Sequence, residues 1–91
     1  MLIKYLRDEN RNPVGVIVAT GKYKVGWSKK HPRDRWDRET AWEIAQERAE
    51  SDFDWGLSAF SGIDHLPVKD SYRILMELRK MRNRSARYFK D

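Results

Sequence analysis

Cysteine is absent from this chain of 91 residues. That excludes a disulfide-stapled scaffold and every thiolate-based zinc site, and it suits a reducing compartment. Long apolar runs are also missing. None approaches the roughly 20 residues that a bilayer-spanning helix requires, so no membrane segment is expected. Met1-Leu2-Ile3 gives way at once to Lys4, which leaves no apolar stretch for a secretory leader. No glycine-rich phosphate loop of Walker or Rossmann spacing occurs, nor any internal repeat, low-complexity tract or linker. What the chain does carry is four Trp, four Tyr and three Phe, too much aromatic surface for wholesale disorder. It also carries 19 Lys and Arg against 14 Asp and Glu, a formal net charge of +5. A single domain spanning residues 1–91 is expected. A domain this short buries only about 60–65% of its unfolded surface, which favours binding across a surface over a deep catalytic pocket.

The pattern predicts an α+β fold, a three-stranded antiparallel meander followed by two helices packed on one face. Leu2 to Arg7 reads as a strand, and Asp8-Glu9-Asn10-Arg11-Asn12-Pro13 as a turn. Val14 to Thr20 is the strongest strand, because Val14, Val16, Ile17 and Val18 are all β-branched. Its nearly continuous apolar run suggests a central strand, covered on one face and partly on the other. Gly21-Lys22 signals a hairpin, with a third strand from Tyr23 to Trp27 or Ser28. Lys29 to Asp37 is a charged loop. A first helix opens at Asp37 or Thr40, buries Trp42, Ala45 and Ala49, and ends near Ser51 or Asp52. Phe53 to Pro67 reads as a loop anchored by aromatics. A second helix runs from about Pro67 or Val68 to Arg84 or beyond, with Val68, Tyr72, Leu75, Leu78 and Met81 or Arg82 as its apolar stripe. Ile74 and Met76 flank that stripe, and Tyr88 and Phe89 form a C-terminal extension.

The charge is segregated. Lys22, Lys24, Lys29, Lys30, Arg33, Arg35 and Arg38 crowd one segment, and Arg79, Lys80, Arg82, Arg84, Arg87 and Lys90 another. Between them, the stretch from Glu39 to Asp54 carries Glu39, Glu43, Glu47, Glu50, Asp52 and Asp54, with Arg48 as its lone base. Two arrangements compete. The basic segments can form a contact surface for phosphates, interleaved with Trp27, Trp36, Tyr88 and Phe89. Alternatively, the basic C-terminal helix pairs with the acidic first helix across the fold and complements its own dipole. Of the tryptophans, Trp42 and Trp55 suit the core. Trp27 and Trp36 are candidates for partial exposure, Trp36 otherwise stapling the loop to the helix start.

Catalytic patterns are thin. His31 and His65 stand far apart, with no cysteine near either, so no metal is expected. Ser28, Ser58 and Ser61 lack the strand-turn-helix setting of a nucleophile. Asp34, Asp37, Glu39 and Glu43 are close in sequence, yet helix capping and a solvated face explain them better than a Mg²⁺-binding nuclease cluster. The reading is therefore a non-enzyme without cofactor. Its first expected partner-binding patch is Lys29, Lys30, Arg33, Arg35 and Trp36, and its second is Arg82, Arg84 and Arg87.

A set of short motifs adds to this. Asn10, Pro13, Gly15-Val16, Val18-Ala19 and Gly21 precede Gly26-Trp27-Ser28, then Pro32, Asp34 and Trp36, then Ile44-Ala45 and Arg48-Ala49. Met81, Arg84 and Arg87-Tyr88-Phe89-Lys90 close the pattern. In these residues the chain resembles a group of small uncharacterised proteins of tailed bacteriophages, departing from them at the basic Lys29-Lys30-His31. The resemblance implies expression in the host cytoplasm and no known catalytic residues. It also implies an accessory protein that binds and inhibits a host protein or nucleoprotein complex, such as a CRISPR effector. The alternatives are a stand-alone DNA- or RNA-binding module, or a sponge for a nucleotide signal.

Overall fold

A computed structural model of the chain describes residues 1–31, 33–50 and 68–89. Strand β1 is Leu2–Arg7, β2 is Pro13–Gly21 and β3 is Lys24–Lys29; helix α1 is Arg38–Glu50 and helix α2 is Val68–Tyr88. The strands form one antiparallel sheet in the order β1-β2-β3, so the β-branched strand is central. The α+β meander with two helices is as the sequence predicts. The aromatic segment expected as a loop, Phe53 to Pro67, lies outside the described residues.

Local chemistry sets the turns. The Asp8 carboxylate accepts hydrogen bonds from the main-chain N–H groups of Asn10 and Asn12, at 2.8 and 2.9 Å. That holds the β1–β2 turn while Arg11 takes a left-handed φ of 67°. The second hairpin turns at Lys22-Tyr23, one residue later than its glycine suggests, with Tyr23 at φ 63°. Such a conformation is unusual for an aromatic residue. It is held from outside: Tyr23 N–H donates to Ser85 Oγ at 3.1 Å, and the Arg82 guanidinium lies 4.6 Å from the ring centre.

The sheet is covered on both sides, which corrects the expectation of two helices on one face. Alternation decides it. On one side Ile3, Tyr5, Val16 and Val18 meet Ala41, Ala45 and Ala49 of α1. On the other, Leu2, Leu6, Ile17, Ala19, Val25 and Trp27 meet Ile74, Leu78 and Met81 of α2. The run Val16-Ile17-Val18-Ala19 is fully buried, and a strand apolar on both faces needs a layer on each.

Helix α1 approaches very closely. A Cβ on Gly26 would collide with the Ala45 carbonyl oxygen and come within 2.6 Å of the Ala49 nitrogen. Asp37 caps the helix, its carboxylate accepting from Thr40 N–H at 3.2 Å and its carbonyl from Ala41 N–H at 3.0 Å. Those hydrogen bonds with Thr40 hold the Asp37 carboxyl below its ordinary pKa. Arg48 reaches round β3, donates to the Trp27 carbonyl at 2.8 Å and lies 4.3 Å from the centre of the Trp27 ring. Burial lowers the pKa of this guanidinium, which still leaves it charged at neutral pH.

The buried stripe of α2 is Ile74, Leu78, Met81 and Ser85. Tyr72, Leu75 and Met76, expected on or beside that stripe, are exposed instead. Ser85 is buried because its hydroxyl is satisfied twice, accepting from Tyr23 N–H and donating to the Arg82 carbonyl at 2.7 Å. The helix runs unbroken through Tyr88, and Phe89 packs against the core.

Two measurements check this packing. Gly26→Ala is expected to destabilise the protein by about 1–3 kcal/mol or more in urea unfolding. Gly21→Ala, where a Cβ meets only the flexible Lys24 side chain at 3.3 Å, is expected to change little; equal midpoints would refute the close approach of α1. For Asp37, the depressed folded pKa means that its contribution is present above the unfolded value near 3.8 and is lost as pH falls below it. A thermal melt of Asp37→Ala should therefore fall below the parent at pH 7, and the gap should close toward pH 2.

Candidate functional site

Tyr88 in the last turn apart, the exposed positions of α2 lie on the side of its axis away from Ile74, Leu78 and Met81. Along that side run Lys69, Arg73, Met76, Lys80, Arg84 and Arg87, all exposed. With a rise of 1.5 Å per residue, the line extends about 27 Å and brings a base every 6 Å or so, interrupted once by Met76. Arg79 flanks it. Tyr72, 66% exposed, and Tyr88, 62% exposed, stand near its two ends.

No carboxylate of α2 joins this line. Glu77 turns toward the sheet, where it pairs with Lys4 at 3.4 Å and with Lys80 at 3.7 Å. Asp70 turns toward β3 and pairs with Lys29 at 3.4 Å. Among the described residues, no carboxylate pairs with Lys69, Arg73, Arg84 or Arg87.

The acidic helix does not neutralise this face. Glu39, Glu43, Glu47 and Glu50 of α1 are exposed, but α1 lies on the opposite side of the sheet. Among the described residues, no ion pair joins the two helices; Glu50 pairs instead with Lys24 of β3 at 3.8 Å. At physiological salt, charges more than about 8 Å apart in solvent are largely screened from each other. Among the described residues, the glutamates of α1 and the basic line of α2 thus stand on opposite sides of the sheet. Among the described residues, the pairing of the basic helix with the acidic helix, one of the two arrangements the sequence allows, does not form.

The residues singled out in the sequence fall in different settings. Lys29, only 15% exposed, is held in its pair with Asp70. Lys30 is half-buried, its main-chain N–H donating to the Val14 carbonyl at 2.9 Å. Arg33 and Arg35 are exposed on the loop. Trp36 is half-buried against the α1 side of the core, its ring edge-on to Tyr5 with centres 6.2 Å apart, so it staples the loop to the sheet. Trp27 is 3% exposed beneath Arg48, and neither tryptophan forms an exposed platform. Arg82 is half-buried over Tyr23, while Arg84 and Arg87 are exposed.

The two basic patches do not merge. Lys29 meets α2 at Asp70, and the hairpin turn meets it at Ser85, fifteen residues or about 22 Å further along. What joins them is the line on α2, whose first members, Lys69 and Arg73, were not among the expected residues. Their i, i+4 spacing was visible, but Tyr72 and Leu75 pointed to the wrong helix face as buried.

The carboxylates weighed for nuclease chemistry do not converge. Asp37 is engaged in its cap, while Asp34, Glu39 and Glu43 are exposed. Among the described residues, no group of three His, Asp or Glu is placed to hold a metal ion, and no helix is long and apolar enough to cross a membrane. Compared with protein-family models, curated proteins and solved structures, the chain matches none.

Proposed function

We propose that this protein is a non-enzymatic binding protein that engages nucleic acid through the outward side of α2. The observation that carries the reading is the line of Lys69, Arg73, Lys80, Arg84 and Arg87, which has no carboxylate on it and is separated by the sheet from the acidic helix. Lys and Arg in such a row neutralise phosphates and release counterions, whatever the base sequence. Exposed Tyr72 offers a stacking surface, which favours a single strand over a duplex. In the phage setting implied by the resemblance, the protein works in the host cytoplasm. There its basic side occupies the nucleic acid of a host nucleoprotein complex, such as a CRISPR effector, and inhibits it.

The loop contributes less to this reading than α2 does, because Lys29 and Trp36 are engaged within the protein. Fluorescence anisotropy with labelled oligo-dT should give micromolar or tighter affinity at low salt. With about five phosphates neutralised, log affinity should fall against log salt with a slope of about −3.5 for a single strand. Lys80→Glu/Arg84→Glu/Arg87→Glu should weaken binding at least tenfold and flatten the slope to roughly −1.4. Arg33→Glu/Arg35→Glu should stay within twofold of the parent. The reverse pattern would transfer the interface to the loop, and absence of binding at low salt would dispose of the nucleic-acid reading. Pull-down from host lysate, with and without nuclease, then separates a nucleic-acid bridge from a direct protein target.

A further inference from the structure

At the end of the sheet where α2 begins, a groove of about 800 Å³ opens between the β1–β2 turn, the end of β3 and the first turns of α2. That volume lies within the roughly 300–1,000 Å³ typical of small-molecule sites. Its floor includes half-buried Val14, and exposed Tyr72 stands at its rim. Cations reach it from three separate elements: Arg7 from β1, Lys29 and Lys30 from the end of β3, and Lys69 and Arg73 from α2.

Three carboxylates also line the groove, and two of them are already engaged. Asp8 accepts the turn N–H groups of Asn10 and Asn12, and Asp70 pairs with Lys29. Glu9 is the third. Among the cations, Lys29 is held by Asp70, and Arg7 donates to the Arg11 carbonyl at 2.9 Å. Lys30, Lys69 and Arg73 remain, and among the described residues no carboxylate pairs with any of them. Their bases are fixed in place. The Lys30 main chain is tied to Val14, and the Lys29–Asp70 pair clamps the first turn of α2 to β3.

We propose that this groove is a phosphate site that takes a nucleoside 5′-monophosphate, with Lys30, Lys69 and Arg73 on the phosphate and Tyr72 against the base. Three cations lining one groove without a carboxylate partner suit a doubly charged phosphomonoester better than the single charge of a backbone phosphodiester. An aromatic ring beside them supplies the stacking surface that a base requires. The nucleotide comes either free or as the 5′-terminal residue of a strand laid along α2, since Lys69 and Arg73 belong to both the groove and the outward line. The site itself does not depend on strand binding.

The test is isothermal titration calorimetry of the full chain with adenosine 5′-monophosphate and with inorganic phosphate. Anisotropy with dT12 bearing either a 5′-phosphate or a 5′-hydroxyl goes alongside it. The nucleotide should bind more tightly than phosphate alone. Lys30→Glu/Lys69→Glu should weaken it at least tenfold, and Lys30→Met/Lys69→Met should weaken it too, with circular dichroism melts verifying that both variants fold. Arg84→Glu/Arg87→Glu, at the far end of α2, should leave it within twofold. A 5′-phosphate that tightens dT12 at least fivefold, with the gain lost in the lysine variants, identifies the strand end as the source. Equal binding of the two oligonucleotides, with the mononucleotide bound, identifies the free nucleotide. Mononucleotide binding without any oligonucleotide binding would sink the α2 reading and leave this site standing. No binding of the mononucleotide or phosphate, or binding undiminished in folded lysine variants, would overturn the site.

Discussion

The contact between Gly26 and the Ala45–Ala49 stretch of α1 sets the layout of the whole molecule. A helix that lies with its backbone almost against a strand needs no side chain beneath it on the strand and only methyl groups on its own inner side. Gly26, Ala41, Ala45 and Ala49 meet both demands. The thin layer they form is filled by α1, with Trp36 of the preceding loop packed against it. The bulkier side of the sheet, with Leu2, Leu6, Ile17, Val25 and Trp27, is left for a longer helix bearing Ile74, Leu78 and Met81. Size segregation between the two faces thereby becomes charge segregation, because the helix with alanines carries the glutamates and the other carries the arginines. A net charge of +5 understates the result. Among the described residues, the bases of α2 stand on one side of the sheet and the glutamates of α1 on the other.

What could be read from the sequence was local. The Asp8–Asn12 turn, the β-branched central strand and the acidic cap before α1 each declare themselves within a few residues. The side to which each helix would go was harder to see. Its signal is the glycine in β3 together with alanines at helical spacing, and that signal acquires meaning only when the strand and the helix are known to touch. The phase of α2 is masked in the sequence for a related reason. Tyr72, Leu75 and Met76 look like core by hydropathy, and Ser85 looks like surface. A serine whose hydroxyl serves both the Tyr23 turn and the Arg82 carbonyl can be buried without penalty, and its small volume lets the hairpin turn rest on the helix.

The candidate surface was partly legible. Arg84 and Arg87 were visible as a basic run with no acid among them. Lys29 and Trp36 carried the same compositional signal but are engaged by Asp70 and Tyr5, partners remote in sequence. Composition cannot distinguish a cation left for a ligand from one already paired. The groove at the sheet end was invisible for the same reason. It joins residues near positions 7, 30 and 70, whose proximity is a product of folding.

Arg48 has an effect beyond the packing of Trp27. Strand β3 is a border of the sheet, and an unpaired carbonyl on a border invites another chain to add a strand. By taking up the Trp27 carbonyl and lying over the ring, this one side chain seals the middle of that border. On the opposite border, β1 carries Lys4, tethered to Glu77, and a charged side chain there discourages strand addition as well. The sheet is thereby protected from templating its own aggregation, even though it is only three strands wide and buries an apolar run as hydrophobic as Val16 to Ala19.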